Sequence, residues 1–84
     1  MRELRDRIDA VDRTIVGAFN ERLELVRELW QLKRELGLDR LDPGREEEIR
    51  RALRAANGGP LTEEGLDELI DAILALTKRE GERR

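Results

Sequence analysis

Ten of the first 36 positions, Leu4, Ile8, Val11, Ile15, Ala18, Arg22, Leu25, Leu29, Leu32 and Leu36, are separated alternately by four and three residues. That alternation keeps them on one side of a helix for five heptads. A helix over about residues 2–37 would be roughly 53 Å long at ~1.5 Å per residue, with Gly37 as its natural stop. A rod of that length cannot fold back on itself, so other helices must cover its stripe. The two shorter helices that follow cannot do so within one chain, which makes dimerisation along the long helix the economical solution. The composition agrees: 38% of residues are hydrophobic, Phe19 and Trp30 are the aromatics, and strand signals are missing, so the core is aliphatic and helical. A chain of 84 residues buries only about 60% of its unfolded surface, and oligomerisation often supplies the rest.

After Gly37, Asp42-Pro43 reads as an N-cap followed by proline at the first helical position, which starts a second helix at about 43. It runs through Ile49 and Leu53 to about 56, where Asn57 and Gly58-Gly59-Pro60 interrupt the chain. Thr62 then caps a third helix, about 62–80, with Leu66, Leu69, Ile70, Ile73, Leu74 and Thr77 on one face. Glu63, Glu64 and Asp67 near its start and Lys78 and Arg79 near its end suit the helix dipole, while Gly81 to Arg84 are expected to fray. The expectation is one all-α domain over residues 1–84, with three helices that dimerise along the long one.

The residue types present remove most catalytic chemistries. The chain has no Cys, His, Tyr or Ser, so Ser and Cys nucleophiles activated by histidine, zinc and copper sites built from His and Cys, and disulfides are all excluded. Charge is nearly balanced, 17 basic against 20 acidic residues for a net −3, and no segment forms the cationic stripe of a nucleic-acid partner. The start of the sequence lacks the apolar core of a secretion signal, and the longest apolar run, Ala72 to Leu76, is too short for a bilayer. A cytoplasmic protein without membrane partner, metal or cofactor is the expectation.

Four features break the local rules. Arg22 stands on the apolar seam, where a lone guanidinium is costly. Its structural reading is a buried Arg matched to Glu across a helical dimer, and its functional reading is a group facing an anion-filled cavity. Lys33 follows eleven residues later, within about 20° of the same face and roughly 16 Å away at Cα, so the two cations could hold a small dianion between them. By itself Lys33 could equally snorkel at the stripe's edge. Arg45 and Glu46, after Asp42, are either a capping segment with a solvated charge pair or side chains reaching the same cavity beside free backbone N–H groups. Thr77 is polar on an apolar face, which back-bonding to the carbonyl four residues earlier would explain.

Taken together, the order Arg5, Arg22, Lys33, Asp42, Arg45, Glu46, from Leu4-Arg5-x-x-Ile8-x-Ala10-x-Asp12 through Glu21-Arg22 and Lys33 to Asp42-x-x-Arg45-Glu46, resembles the AroQ class of chorismate mutases. The resemblance covers residues 4 to 53 without a gap and the third helix by pattern. It implies an isomerase that rearranges chorismate to prephenate in the shikimate pathway to phenylalanine and tyrosine, an interlocked helical homodimer with shared active sites, and no cofactor. It further implies that Arg5 is lent by one chain to the Arg22, Lys33, Arg45 and Glu46 of the other. Arg5 and Arg22 would grip the two carboxylates and Lys33 would face the ether oxygen. Glu46 and the backbone at Asp42 would hold the ring hydroxyl, with Arg45 reinforcing the cationic wall, and Thr77 falls where the family often has Ser near a carboxylate. Such a pericyclic reaction asks for no nucleophile or proton transfer, only a fixed conformer and charge opposite the breaking C–O bond.

Two positions depart from the family. Gly81 stands where a second donor to the ether oxygen, commonly Gln, is usual, and Trp30 replaces a small residue, which reshapes the site. Arg79, Glu80 or Arg83 could stand in, a pathway-partner enzyme such as the aldol-type synthase could order the tail, or the enzyme alone is slow. On this reading Gly81→Gln raises kcat. Alternatives of the same fold are isochorismate pyruvate lyase and aminodeoxychorismate mutase. One of another class is a non-catalytic helical dimerisation module, with Arg22 and Lys33 paired to Glu across the seam.

Overall fold

The computed structural model describes residues 1–83. Three helices, α1 (Arg2–Glu35), α2 (Arg45–Ala56) and α3 (Glu63–Gly81), make up its regular structure, with no strand among the described residues. The all-α class expected from the stripe is what forms. α1 is unbroken because its apolar positions recur at helical spacing and no proline interrupts it. It stops at Glu35 rather than at about 37, because Gly37, at φ 69°, lies outside the helix in the left-handed region. There the Leu38 N–H donates to the Lys33 carbonyl at 2.8 Å and the Gly37 N–H to the Arg34 carbonyl at 3.2 Å. This is a Schellman ending, in which glycine occupies the position that other residues resist.

The start of α2 differs from expectation. Asp42 does not cap the helix and Pro43 is not its first residue, since both belong to a tight turn that precedes it. The Arg45 N–H donates to the Asp42 carbonyl at 3.1 Å, and Gly44, at φ 89° and ψ −14°, has the left-handed conformation of the third residue of a type II turn. Proline followed by glycine is the pair that such a turn favours, and it outcompetes the capping role. α3 begins where expected, with the Thr62 hydroxyl accepting from the Gly65 N–H at 3.0 Å. It continues through Gly81 instead of fraying there, and Arg84 lies outside the described residues.

α3 is the keystone: it packs on both α1 and α2, which do not pack on each other. Leu66 and Ile70 on α3 are the buried apolar side chains, flanked by half-buried Leu23, Val26 and Trp30 of α1 and Ile49 and Leu53 of α2. α2 is fastened by Arg50, which reaches Asp67 at 3.5 Å and also Asp71, and by Arg54, 3.2 Å from Asp67. Contact with α1 involves only its second half, since residues 1–18 are all exposed. The chain therefore leaves 7292 Å² accessible, about 2,100 Å² more than the ~5,200 Å² of a compact monomer of this mass. Its radius of gyration is 15.6 Å against about 12 Å for a globular chain of equal length.

Candidate active site

Arg22 sits on α1 where α3 crosses it. Its Nη1 donates to the Thr77 Oγ1 at 2.6 Å, and that hydroxyl in turn donates to the Ile73 carbonyl at 2.6 Å. Thr77 thus back-bonds within its helix, as its sequence position suggests, and also receives the guanidinium. Thr77 is 6% exposed and Arg22 is half-buried, so the bond between them is partly withdrawn from water. Burial, and then the neighbouring charge of Arg45, keep the Arg22 guanidinium below its ordinary pKa. Both influences penalise the charged form, and among the described residues no carboxylate forms an ion pair with Arg22 to relieve them. Two guanidiniums close enough to oppose each other, one of them resting on a buried hydroxyl with no ion-pair partner, make a place that favours an anion.

Lys33 lies one α1 segment further on. Its Nζ donates to the Arg40 backbone carbonyl at 3.3 Å, across the loop between α1 and α2. The Arg40 side chain lies on the Trp30 ring, 3.5 Å from guanidinium carbon to centroid, and donates to Glu82 at 3.2 Å. These groups line a cavity of about 710 Å³ together with Arg27, Arg34, Gly81 and Arg83. Of the residues expected from sequence, Lys33 alone lines it, and Arg22, Arg45 and Thr77 converge outside it. The geometry of the cations takes precedence over cavity shape, because an open single chain encloses little.

Gly81 corrects an expectation. A Cβ there would lie 2.5 Å from Trp30 Cζ3 and 2.8 Å from Cη2, so glutamine cannot simply be added at this position. The indole fills the space that a side chain at 81 would need, and the two departures from the family pattern are one: the large residue at 30 requires the absent one at 81. The suggested stand-ins are engaged with one another. Arg79 and Arg83 pair with Glu80 at 3.4 and 3.3 Å, and the Glu80 carbonyl accepts from Arg27 at 2.6 Å. Arg40 went unnoticed in the sequence because a loop residue carries no periodic signal.

Arg45 opens α2, 3.9 Å from Glu48, and is exposed. Asp42 uses its carbonyl in the turn, and Glu46 accepts from Arg50 at 2.9 Å. Arg50 was also missed, although its spacing of four from Glu46 was the available clue. It donates to Glu46, Asp67 and Asp71 together, and its hydrogen bonds to Asp71 and then to Glu46 raise its pKa. Arg5 is not brought to the others: it is exposed, 17 residues from Arg22 and hence about 26 Å along the helix.

Comparison with known proteins gives three results. The family described as "Chorismate mutase type II" matches residues 4–82. Form II of chorismate mutase from Thermus thermophilus superposes with a TM-score of 0.88 at 38% identity, covering 99% of this chain and 94% of that one. Form I of the same organism's enzyme gives 0.84 at 39%, covering 90% and 95%. Among curated proteins none matches.

Proposed function

The chain belongs to the chorismate mutase type II family, and from that premise we propose how its own residues divide the work. The family reaction converts chorismate to prephenate within one molecule: a C–O bond breaks as a C–C bond forms. The protein must therefore hold a flexible dicarboxylate in a reactive conformer and stabilise negative charge on the departing ether oxygen. The observation that carries the assignment is the Arg22 guanidinium, half-buried on Thr77 beside Arg45 and without a paired carboxylate among the described residues.

In this reading Arg22, supported by Thr77 and Arg45, takes one substrate carboxylate through the planar fork that guanidinium offers. Lys33 faces the ether oxygen. Glu46, oriented by Arg50, accepts the ring hydroxyl alongside the Asp42 backbone. Arg5 takes the second carboxylate from a second copy of the chain, a reading supported by its distance from Arg22 along α1. A homodimer is supported by the uncovered stripe: Leu4, Ile8, Val11, Ile15, Leu25, Leu29, Leu32 and Leu36 are each 49–63% exposed. The excess surface, about 2,100 Å² per chain and so about 4,200 Å² for two, falls within the roughly 2,000–5,000 Å² total that obligate dimers bury. The metabolite substrate makes the cytoplasm the proposed compartment, and an activating pathway partner is compatible with the exposed C-terminal segment. No described helix is long and apolar enough to cross a membrane.

Isochorismate lyase and aminodeoxychorismate mutase activities are not favoured, since the two solved structures compared above are chorismate mutases. The test is the loss of chorismate absorbance with wild-type protein, abolished in Arg22→Ala and Lys33→Ala. No turnover at saturating substrate would leave the non-catalytic dimerisation reading. Mixing Arg5→Ala with Arg22→Ala chains should restore one site in each heterodimer, and no recovery would refute the shared site.

A further inference from the structure

We infer that Arg40 is a second catalytic cation, facing the breaking C–O bond beside Lys33. The inference rests on the reading that Lys33 faces the ether oxygen. Four cations besides Lys33 line the cavity at this end of the bundle, and three are committed elsewhere. Arg27 donates to the Glu80 carbonyl at 2.6 Å, Arg34 to the Gln31 side chain at 2.6 Å, and Arg83 pairs with Glu80 at 3.3 Å. Arg40 differs because it is tied to Lys33 directly: its backbone carbonyl accepts from the Lys33 Nζ at 3.3 Å, so the two cations are positioned by one loop.

The side chain is also preorganised. Its guanidinium lies 3.5 Å from the Trp30 centroid, a stack that occupies the face of the group. The N–H donors point outward in the guanidinium plane and stay available. Glu82 takes one of them at 3.2 Å, but both partners are more than two-fifths exposed, and an ion pair so wetted exchanges readily for a better acceptor. Trp30 has a double effect here. It excludes any side chain at position 81, and it provides the surface on which Arg40 is held next to the same cavity wall. A cation laid on an indole thus supplies the positive field for which residue 81 has no side chain, and charge built up on the ether oxygen in the transition state would meet both Lys33 and Arg40.

The decisive comparison is Arg40→Met against Glu82→Gln in the full-length protein, with kcat and KM read from loss of chorismate absorbance. Far-UV circular dichroism confirms the helical fold of each variant. Arg40→Met should lower kcat about 10- to 100-fold with KM changed by less than about threefold, the pattern of a contact made in the transition state. Arg40→Lys should recover part of that loss. Glu82→Gln breaks the ion pair but keeps the cation, so it should leave kcat unchanged or raise it. If Arg40→Met stays within about twofold of wild type, or if both variants fall alike, Arg40 only fastens the loop to α3 and the inference is overturned. Lys33→Ala, run in the same series, separates the two levels. An active Lys33→Ala, or an inactive wild type, refutes the reading of Lys33 and this inference with it. An inactive Lys33→Ala beside a fully active Arg40→Met refutes Arg40 alone.

Discussion

Replacing Gly81 by alanine sets helix propensity against packing, and the structure says packing wins. Alanine is the better helix former by roughly 0.5–1 kcal/mol in a helix interior, and by less at the last residue of α3. Against this, the new Cβ would sit 2.5 and 2.8 Å from two Trp30 ring carbons, about 1 Å inside the 3.5–4.0 Å optimum. The ring cannot swing away without losing its stack with Arg40, and overpacking of this kind costs about 1–3 kcal/mol. The net expectation is a destabilisation of about 1–2 kcal/mol, or a Tm lower by roughly 5–10 °C for a domain of this size. Trp30→Ala should cost about 2 kcal/mol, since the ring is half-buried and a fully buried one costs roughly 3–5. The double variant removes the clash, so it should be more stable than the sum of the singles by about 1–2 kcal/mol. Urea unfolding followed by far-UV circular dichroism at fixed protein concentration measures all four forms, and concentration must be fixed because association is linked to stability. A Gly81→Ala protein as stable as wild type, or a coupling energy near zero, would refute the steric argument. The same clash predicts that Gly81→Gln alone lowers kcat, and that glutamine becomes tolerable only with Trp30→Ala.

Arg22→Met should abolish turnover while leaving Tm unchanged or raised. The guanidinium's pKa is depressed, so its charged form is disfavoured by folding at every pH below that depressed value. Removing it forgoes a hydrogen bond worth about 1 kcal/mol but relieves a desolvation cost of similar or larger size; a Tm drop beyond about 5 °C would contradict this. Arg50→Met should lower the urea midpoint and raise KM, because one side chain aligns Glu46 and joins α2 to Asp67 and Asp71; an unchanged KM with a lowered midpoint would confine Arg50 to the fold. Leu29→Glu should shift the protein from dimer to monomer in sedimentation velocity, since it puts a charge into the exposed stripe, and a dimer of undiminished affinity would move the interface elsewhere.

The long helix was legible because periodicity is a property of consecutive residues. Arg22 was conspicuous for the same reason, as a charge interrupting an apolar register, and Thr77 as a hydroxyl on an apolar face. Their contact across 55 residues was not visible in either pattern. The start of α2 was misread because two local rules competed for the same residues. Asp42-Pro43 suits a helix cap and Pro43-Gly44 a type II turn, and only the backbone conformation of Gly44 decided between them. Arg40 and Arg50 were missed because one lies in a loop and the other among charges that resemble an ordinary solvated face.

What the sequence determined by itself is what local spacing and residue chemistry can encode: an all-helical chain, a stripe too long to be covered from within, and a catalytic repertoire reduced to fixed charges. Tertiary structure decided which of those charges meet. It set Arg22 on Thr77, tied Lys33 to the Arg40 loop, and turned two separate oddities, Trp30 and Gly81, into a single packing solution. The reason is one of range. Helix propensity and periodicity act within a few residues, whereas desolvation, stacking and steric exclusion depend on distances that exist only once α3 has been laid against α1.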